Sequence, residues 1–256
     1  MHTIQVSTPG GPEVLVPAII DKPACADDGV IVANEVAGVN YIDTYQRTGL
    51  YPMSHPCVPG LEGCGVVSNW AVGDRSCRRS TCCVDGRPQL LRRRRGRPGE
   101  RRRTSARRTL IRRRLCCPPS GADCPLSGVR HVPAQPGDTC LIHAGAGGVG
   151  LLLTQLAKSC GATVVTTVST EEKASLSREA GADHVINYRT TNFAEVATDL
   201  LGPKPFQVVY DGVSQSVFAD SLTLLAPRGL MATFGNASGP VEPVSPSLCR
   251  GPDRCS

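Results

Sequence analysis

The sequence predicts an α/β protein in which a small, mostly β segment precedes an open, doubly wound parallel sheet. Three observations predict this class. A glycine-rich turn lies between an apolar run and a helix-like run at residues 140–158. Strand-like and helix-like stretches then alternate to residue 236. The first 75 residues, in contrast, are short β-rich pieces, such as 29–36, punctuated by glycine and proline.

The glycine-rich turn at residues 143–150 reads His-Ala-Gly-Ala-Gly-Gly-Val-Gly and matches the G-x-G-x-x-G pattern. The three glycines of this pattern allow a tight turn, close approach to a pyrophosphate, and close packing of a helix on a strand. The amides at the start of the following helix, with its positive dipole end, complete a phosphate site. The residues predicted to contact a dinucleotide here are Gly145, Gly147, Gly148, Val149 and Gly150.

Strands and helices alternate after this turn. Residues 163–168 are a β-branched run that suits a buried parallel strand. Ser169 and Glu172 form a candidate capping box for a helix that closes at Gly181. The later elements are strands at 184–186, 207–211 and 229–234 and helices at 193–201 and 214–225. This order predicts βαβ units, and so a Rossmann-type domain over residues 131–245.

The end of the second predicted strand, at Val168, indicates which nucleotide the site prefers. An NAD site usually has an acid there for the ribose 2′-hydroxyl, but Ser169 and Thr170 follow Val168 instead. Lys173 lies one turn further on. Its ammonium favours the 2′-phosphate of NADP, with the alternative that Lys173 is a solvated residue on a helix face.

Motifs in both parts of the chain carry a resemblance to a known family. Those in the first part are GVNYIDTY at 38–45, GLYP at 49–52, PGLEG at 59–63 and VGDR at 72–75. Those in the second are AGAGGVG at 144–150, NYR at 187–189, VYD at 209–211 and FGNASG at 234–239. In order and spacing over residues 1–75 and 131–245, the chain resembles the zinc-independent quinone oxidoreductases of the medium-chain dehydrogenase/reductase superfamily.

The resemblance implies a GroES-like amino-terminal domain and hydride transfer from NADPH to a small-molecule quinone in a cleft between two domains. Family members form homodimers. Asn40, Tyr45 and Tyr51 match positions near the nicotinamide and the substrate, and are the candidate catalytic residues. Tyr51 lies beside Pro52, so loop packing is an alternative role for it. The remaining cofactor candidates are Ser169, Lys173 and Tyr188 at the adenosine phosphate end, and Phe234, Gly235 and Asn236 at the nicotinamide half.

The zinc-dependent alcohol dehydrogenases of the same superfamily use a cysteine and a His-Glu pair at their catalytic metal. Asn40 and Leu61 stand in the places of that cysteine and histidine, and neither supplies a thiolate or an imidazole. The chain also contains no C-x-x-C pair for a structural zinc. We therefore expect no metal, so that the nicotinamide carries the chemistry.

Residues 76–130 break the family pattern. Eighteen arginines lie from Arg75 to Arg130 against three acids, in a chain whose net charge is +6. Six of the 13 cysteines also lie in this stretch. Blocks of like charge repel one another and resist collapse, so we expect a disordered insert between the two domains.

Three interpretations of this insert remain open. Nucleic-acid binding through its arginines is disfavoured because no aromatic residues are interleaved with them. A metal site is disfavoured because two cysteine pairs, 82–83 and 116–117, are adjacent residues. We favour out-of-frame translation of a GC-rich gene, which enriches arginine, cysteine, proline and glycine.

The carboxyl end also departs from the family. Residues 246–256 do not match it, and we expect the Rossmann domain to be incomplete there. A non-catalytic, degraded nucleotide-binding remnant is therefore the alternative to a working enzyme. The amino terminus lacks a basic start and an apolar core, and no run is long enough to span a membrane, so we expect a cytoplasmic protein with reduced thiols.

The out-of-frame interpretation makes a prediction about the gene. Shifting the reading frame near codons 76 and 246 should restore family residues, because only the frame differs. The measurement is the nucleotide sequence of the coding region. Codons that give no family residues in either shifted frame would contradict the interpretation.

Overall fold

The computed structural model describes residues 1–24, 30–70, 81–85 and 134–245. The chain divides into two compact units, Met1–Cys124 and Pro125–Ser256, which are described separately. Most of the arginine-rich insert predicted at residues 76–130 lies outside the described residues. The same is true of the tail predicted at residues 246–256.

The first unit is mostly β structure, as predicted. Strands β1 (His2–Gln5) and β2 (Val16–Ile19) pair antiparallel, with a 3₁₀ turn at Pro12–Val14 before β2. A separate antiparallel sheet has the order β3-β4-β5, formed by β3 (Val30–Ala37), β4 (Glu62–Trp70) and β5 (Thr81–Asp85). A short helix, α1 (Tyr41–Thr48), lies between β3 and β4 in the chain.

Helix α1 was not predicted from the sequence, although its ends have recognisable signals. Asn40 is the N-cap residue, with extended backbone, and its amide donates to Asp43 Oδ2 at 2.9 Å. The helix ends at Gly49, whose φ of +83° is a left-handed conformation that glycine adopts without strain. Asn40, the first candidate catalytic residue, is therefore fixed at the start of a capped helix.

Strand β5 corrects the expectation that residues 76–130 contain no regular structure. Thr81–Asp85 pairs antiparallel with β4, with Cys83 opposite Cys64. This run contains no arginine and includes β-branched residues, so the charge repulsion that argues against order elsewhere in the segment does not act within it. The correction applies to these five residues only.

The second unit is a five-stranded, wholly parallel sheet of order β10-β9-β6-β7-β8, as the Rossmann prediction requires. Its strands are β6 (Thr139–Ile142), β7 (Thr163–Val168), β8 (His184–Asn187), β9 (Phe206–Asp211) and β10 (Leu225–Thr233). Its helices are α2 (Gly148–Ser159), α3 (Glu171–Glu179), α4 (Phe193–Leu201) and α5 (Phe218–Thr223).

Alternate side chains of the central strands pack on the two faces of this sheet. In β6, Cys140 and Ile142 join an apolar cluster with Leu153 and Ala157 of α2. Leu141, between them, belongs to a second cluster, which includes Phe193 and Ala197 of α4. Both faces are therefore covered by helices, which explains why the strands read as continuous apolar runs.

Three predicted boundaries differ in detail. The N-cap of α3 is Thr170 rather than Ser169, and its hydroxyl accepts from the Lys173 amide at 3.3 Å. Helix α5 is shorter than predicted because Ser214, with φ of +69°, begins a turn before it. Strand β10 begins at Leu225, and an irregularity before Leu230 includes Arg228 at φ of +66°.

Among the described residues, no helix is both long and apolar enough to cross a membrane.

Candidate functional site

The carboxyl ends of the five parallel strands form one edge of the second unit. Strand order reverses between β6 and β9, because the chain runs outward through β7 and β8 and then returns to β9 and β10. Ligands of open α/β sheets bind in the crevice at such a switch point. The predicted glycine turn follows β6 and therefore lies at this position.

Close contacts explain two of the glycines in this turn. A Cβ on Gly145 would lie 2.9 Å from Thr166 Cγ2 of β7, and one on Gly150 would lie 2.9 Å from the carbonyl carbon of Gly145. The Gly145 amide donates to the Thr167 carbonyl at 3.0 Å. The turn therefore rests directly on the neighbouring strand and on the first turn of α2.

The start of α2 leaves a cradle of backbone. Gly147 is the N-cap, and no side chain of the described residues caps this helix. A Cβ on Gly148 would meet nothing within 4 Å, so the space beside it is open. The first-turn amides and the positive helix end face a site where a phosphate fits.

The three candidates for the adenosine phosphate end lie together. Lys173 Nζ donates to Ser169 Oγ at 3.0 Å, just beyond the end of β7. The Tyr188 amide donates to the Val168 carbonyl at 3.1 Å, which brings the end of β8 beside them. Tyr188 is 51% exposed and Lys173 is also exposed, so both side chains are accessible to a ligand.

The candidates for the nicotinamide half lie at the other side of the glycine turn. The Phe234 amide donates to the Asp211 carbonyl at 2.8 Å. A Cβ on Gly235 would lie 2.7 Å from the Gly212 carbonyl oxygen, so the segments after β9 and β10 touch through backbone. Asn236 follows in the same turn, and its carbonyl accepts from the Gly239 amide at 3.0 Å.

Asp211 was missed as a site residue, although a strand that ends in Asp-Gly is a recognisable turn signal. Its Oδ1 accepts from the amides of Val213 and Ser214, each at 2.8 Å. Its Oδ2 is buried with no hydrogen-bond partner among the described residues. The pKa of this carboxyl is raised, because burial outweighs the two hydrogen bonds from backbone amides, which lower it.

His143 was also missed, although it directly follows the buried strand β6, at the first position of the glycine-rich turn. The Ser221 hydroxyl donates to the Val217 carbonyl at 2.6 Å, so it accepts from His143 Nε2 at 2.8 Å. His143 Nδ1 then accepts from the Thr167 hydroxyl at 3.0 Å. The imidazole is neutral, because burial lowers its pKa to about 4. It fixes the end of β6 to β7 and α5.

The candidate catalytic residues lie in the first unit, in α1 (Tyr45), just before it (Asn40) and just after it (Tyr51). Tyr45 is buried at 8% exposure, and its ring packs between those of Tyr41 and Tyr51, with centroids 5.4 and 5.1 Å away. Tyr51 is 38% exposed, and its amide donates to the Tyr45 carbonyl at 3.1 Å. Packing therefore accounts for much of the role of the Tyr45 side chain. Tyr51 packs on the Tyr45 ring and is also accessible at the surface.

Asn40 lies one residue before α1, and its side chain is held by β4. Its Nδ2 donates to Glu62 Oε2 at 2.8 Å. Glu62 occupies the glutamate place of the His-Glu pair of the zinc enzymes, and its role here was not predicted from the sequence. In the part of the chain that the structure describes, no group of three or more His, Cys, Asp or Glu residues is placed to hold a metal ion.

An antiparallel β unit followed in the chain by a parallel sheet with a glycine turn at its switch point is typical of nucleotide-dependent oxidoreductases, and comparisons with known proteins agree. Residues 26–112 match the alcohol dehydrogenase GroES-like domain, and residues 148–251 match the zinc-binding dehydrogenase family.

Individual relatives narrow the class. A quinone oxidoreductase of Pseudomonas aeruginosa is 37% identical over 252 residues, which cover 94% of this chain and 75% of that protein. A 2-haloacrylate reductase of a Burkholderia species is 35% identical, covering 92% of this chain and 73% of that one. The crystal structure of Escherichia coli quinone oxidoreductase complexed with NADPH has a TM-score of 0.75 at 30% identity, covering 97% and 77%.

The chain belongs to the quinone oxidoreductase family of the medium-chain dehydrogenase/reductase superfamily. The family match of the first part extends to residue 112, into the arginine-rich insert.

The two glycines at the start of α2 should respond differently to substitution. Gly150→Ala should lower the free energy of unfolding by about 1–3 kcal/mol, because the added methyl meets backbone that cannot move aside. Gly148→Ala, the matched control, enters open space and should cost nothing. Urea unfolding followed by circular dichroism measures both. Equal losses in the two variants would contradict the close contact.

His143 should make stability depend on pH. Its pKa in the folded chain is about 4, below the ordinary value of 6.5, so protons bind first to the unfolded chain. Its contribution is therefore present at pH 7 and is lost as the pH falls from about 6.5 towards 4, by about 2 kcal/mol at pH 5. Urea unfolding of the wild type and of His143→Gln at pH 7 and pH 5 isolates the contribution of His143 to the pH dependence. A variant with the same pH dependence as the wild type would contradict it.

Proposed function

We propose that this chain binds NADPH along the carboxyl edge of its parallel sheet and transfers hydride to a quinone without a metal. The observation that carries the proposal is the order of groups along that edge. A lysine–serine pair lies at β7, the open glycine cradle at β6, and the turn of Phe234 and Gly235 at β10. Four strand spacings of about 4.8 Å make this edge roughly 19 Å long.

The groups along the edge fit the parts of NADPH in sequence. The amides at the start of α2 suit a pyrophosphate, since the open space beside Gly148 admits its oxygens. Lys173 and Ser169 suit the 2′-phosphate, as a cation and a hydroxyl donor in contact with each other. No carboxylate lies at the end of β7 to bond a free 2′-hydroxyl, so we propose NADPH in preference to NADH.

The nicotinamide supplies the hydride when the cofactor is bound, so the protein's contribution is binding, orientation and polarity. The backbone contact between Gly235 and Gly212 fixes the turn on which Phe234 and Asn236 lie. Neutral His143 holds the start of the glycine turn without adding a charge beside it. Asn40 presents an uncharged amide in the place of a zinc-ligating cysteine, which supports a reaction without zinc.

The acceptor class is a small quinone, as the names of the P. aeruginosa and E. coli relatives state for those proteins. The Burkholderia relative is named for a haloacrylate, so an activated alkene is the second acceptor to test. A cytoplasmic location belongs to the same proposal. A reducing compartment agrees with Cys57, Cys64, Cys140 and Cys160, none of which forms a disulfide in the described part of the chain.

The nucleotide preference can be tested at Lys173. Lys173→Ala should raise the Kd for NADPH about tenfold, because one charge-assisted bond to a phosphate is lost. The Kd for NADH should stay the same. Titration of nicotinamide fluorescence gives both constants, and Lys22→Ala, an exposed lysine of the first unit, controls for the lost charge.

The reaction is tested with the same protein. Saturable oxidation of NADPH by a simple naphthoquinone is the expected result for the folded wild-type chain. NADPH binding without turnover of either acceptor would contradict the proposed enzymatic activity. It would favour the alternative, a non-catalytic nucleotide-binding remnant. Equal loss of NADPH and NADH affinity in Lys173→Ala would contradict the assignment of the 2′-phosphate.

A further inference from the structure

We propose that Glu62 is a positioning residue that fixes the orientation of the Asn40 carboxamide; the inference rests on the proposed function and deepens it. The contact joins Asn40 Nδ2 to Glu62 Oε2 over 2.8 Å. A carboxylate only accepts hydrogen bonds, so the amide nitrogen must face Glu62. The Asn40 oxygen is thereby turned to the other side of the carboxamide.

This orientation matters because an amide can flip. Rotation by a half-turn exchanges a donor for an acceptor at nearly the same position. In a fraction of the molecules, a ligand group beside Asn40 would then face a donor where it needs an acceptor, or the reverse. A neighbour that can only accept removes that ambiguity, and leaves Asn40 with one defined set of polar atoms.

Independent contacts show that the Glu62 side chain occupies a built position. A Cβ on Gly38 would lie 2.6 Å from Glu62 Cδ, so only glycine admits the carboxylate there. The Gly38 amide donates to the Glu62 carbonyl at 3.0 Å, directly after the pairing of Ala37 with Gly63. The register of β3 on β4 therefore places Glu62 beside both Gly38 and Asn40.

The backbone of Asn40 has contacts of its own, independent of Glu62. Its amide donates to Asp43 Oδ2, and the Asp43 amide donates to the Asn40 carbonyl at 3.0 Å. Helix α1 thus holds the main chain of Asn40, and through its capping box the Asp43 amide also approaches the Asn40 side chain, whose Nδ2 end is held by Glu62. Loss of Glu62 should disorient the amide and leave the helix in place.

A double-mutant cycle tests the inference. Glu62→Gln is isosteric, but glutamine both donates and accepts, so it no longer dictates which end of Asn40 faces it. Asn40→Ser retains an N-cap and removes the carboxamide. With saturating NADPH and naphthoquinone, Glu62→Gln should lower kcat about tenfold, the effect of one hydrogen bond to a charged group. The Kd for NADPH should stay within about twofold, because the adenosine end is untouched.

In the Asn40→Ser background, the same Glu62→Gln change should alter kcat less than about twofold, because its target is gone. Glu35→Gln, at an exposed residue of β3, is the matched control for the lost charge. An equal loss of kcat in both backgrounds, or no loss in either, would overturn the positioning role. A purely structural role would lower the melting temperature of both backgrounds and kcat alike.

A second measurement keeps the inference separate from the proposed function. The side-chain amide NMR signals of Asn40 are identified by their absence in Asn40→Ser, and Glu62→Gln should shift them while Glu35→Gln does not. Unshifted signals would overturn the inference even in a chain without turnover. A wild-type chain that shows no quinone reduction overturns the proposed function alone.

Discussion

The dinucleotide edge depends on a backbone-to-backbone contact between the first turn of α2 and the turn before it. Gly150 and Gly145 meet without side chains between them, and Gly145 also rests on Thr166 of β7. Any side chain here would lift the helix away from the strand and move its first amides. Because neither Gly145 nor Gly150 has a Cβ, α2 can approach closely enough to place those amides at the phosphate cradle.

The Rossmann unit was predictable because its signals are local. Apolar runs, the glycine turn and the helix periods each extend over fewer than about 20 residues, and their strand and helix assignments were confirmed. The N-cap at Thr170 was misplaced by one residue, since Ser169 and Thr170 are both good caps and only the fold decides between them. Helix α1 was harder to predict because it has only eight residues, so its caps at Asn40 and Gly49 are not joined by a long helical period.

The candidate site divides in the same way. Motif residues such as Gly145, Lys173 and Gly235 could be named from the sequence, and the structure places them along one edge. His143 and Glu62 could not, because their partners lie 78 and 22 residues away in the chain. Asp211 has a local Asp-Gly turn signal, but the burial of its Oδ2 depends on the fold. A sequence identifies groups that contact a ligand more easily than groups that hold those groups in place.

Strand β10 ends the described sheet on one side, so an edge of its backbone faces away from β9. An uninterrupted edge of this kind can recruit a strand from another molecule and so lead to aggregation. Here the irregularity between Leu225 and Leu230 contains Pro227, which has no amide to donate, and Arg228, whose backbone is left-handed. The regular part of this edge is therefore only the four residues from Leu230 to Thr233, and the charged side chain of Arg228 lies just before it.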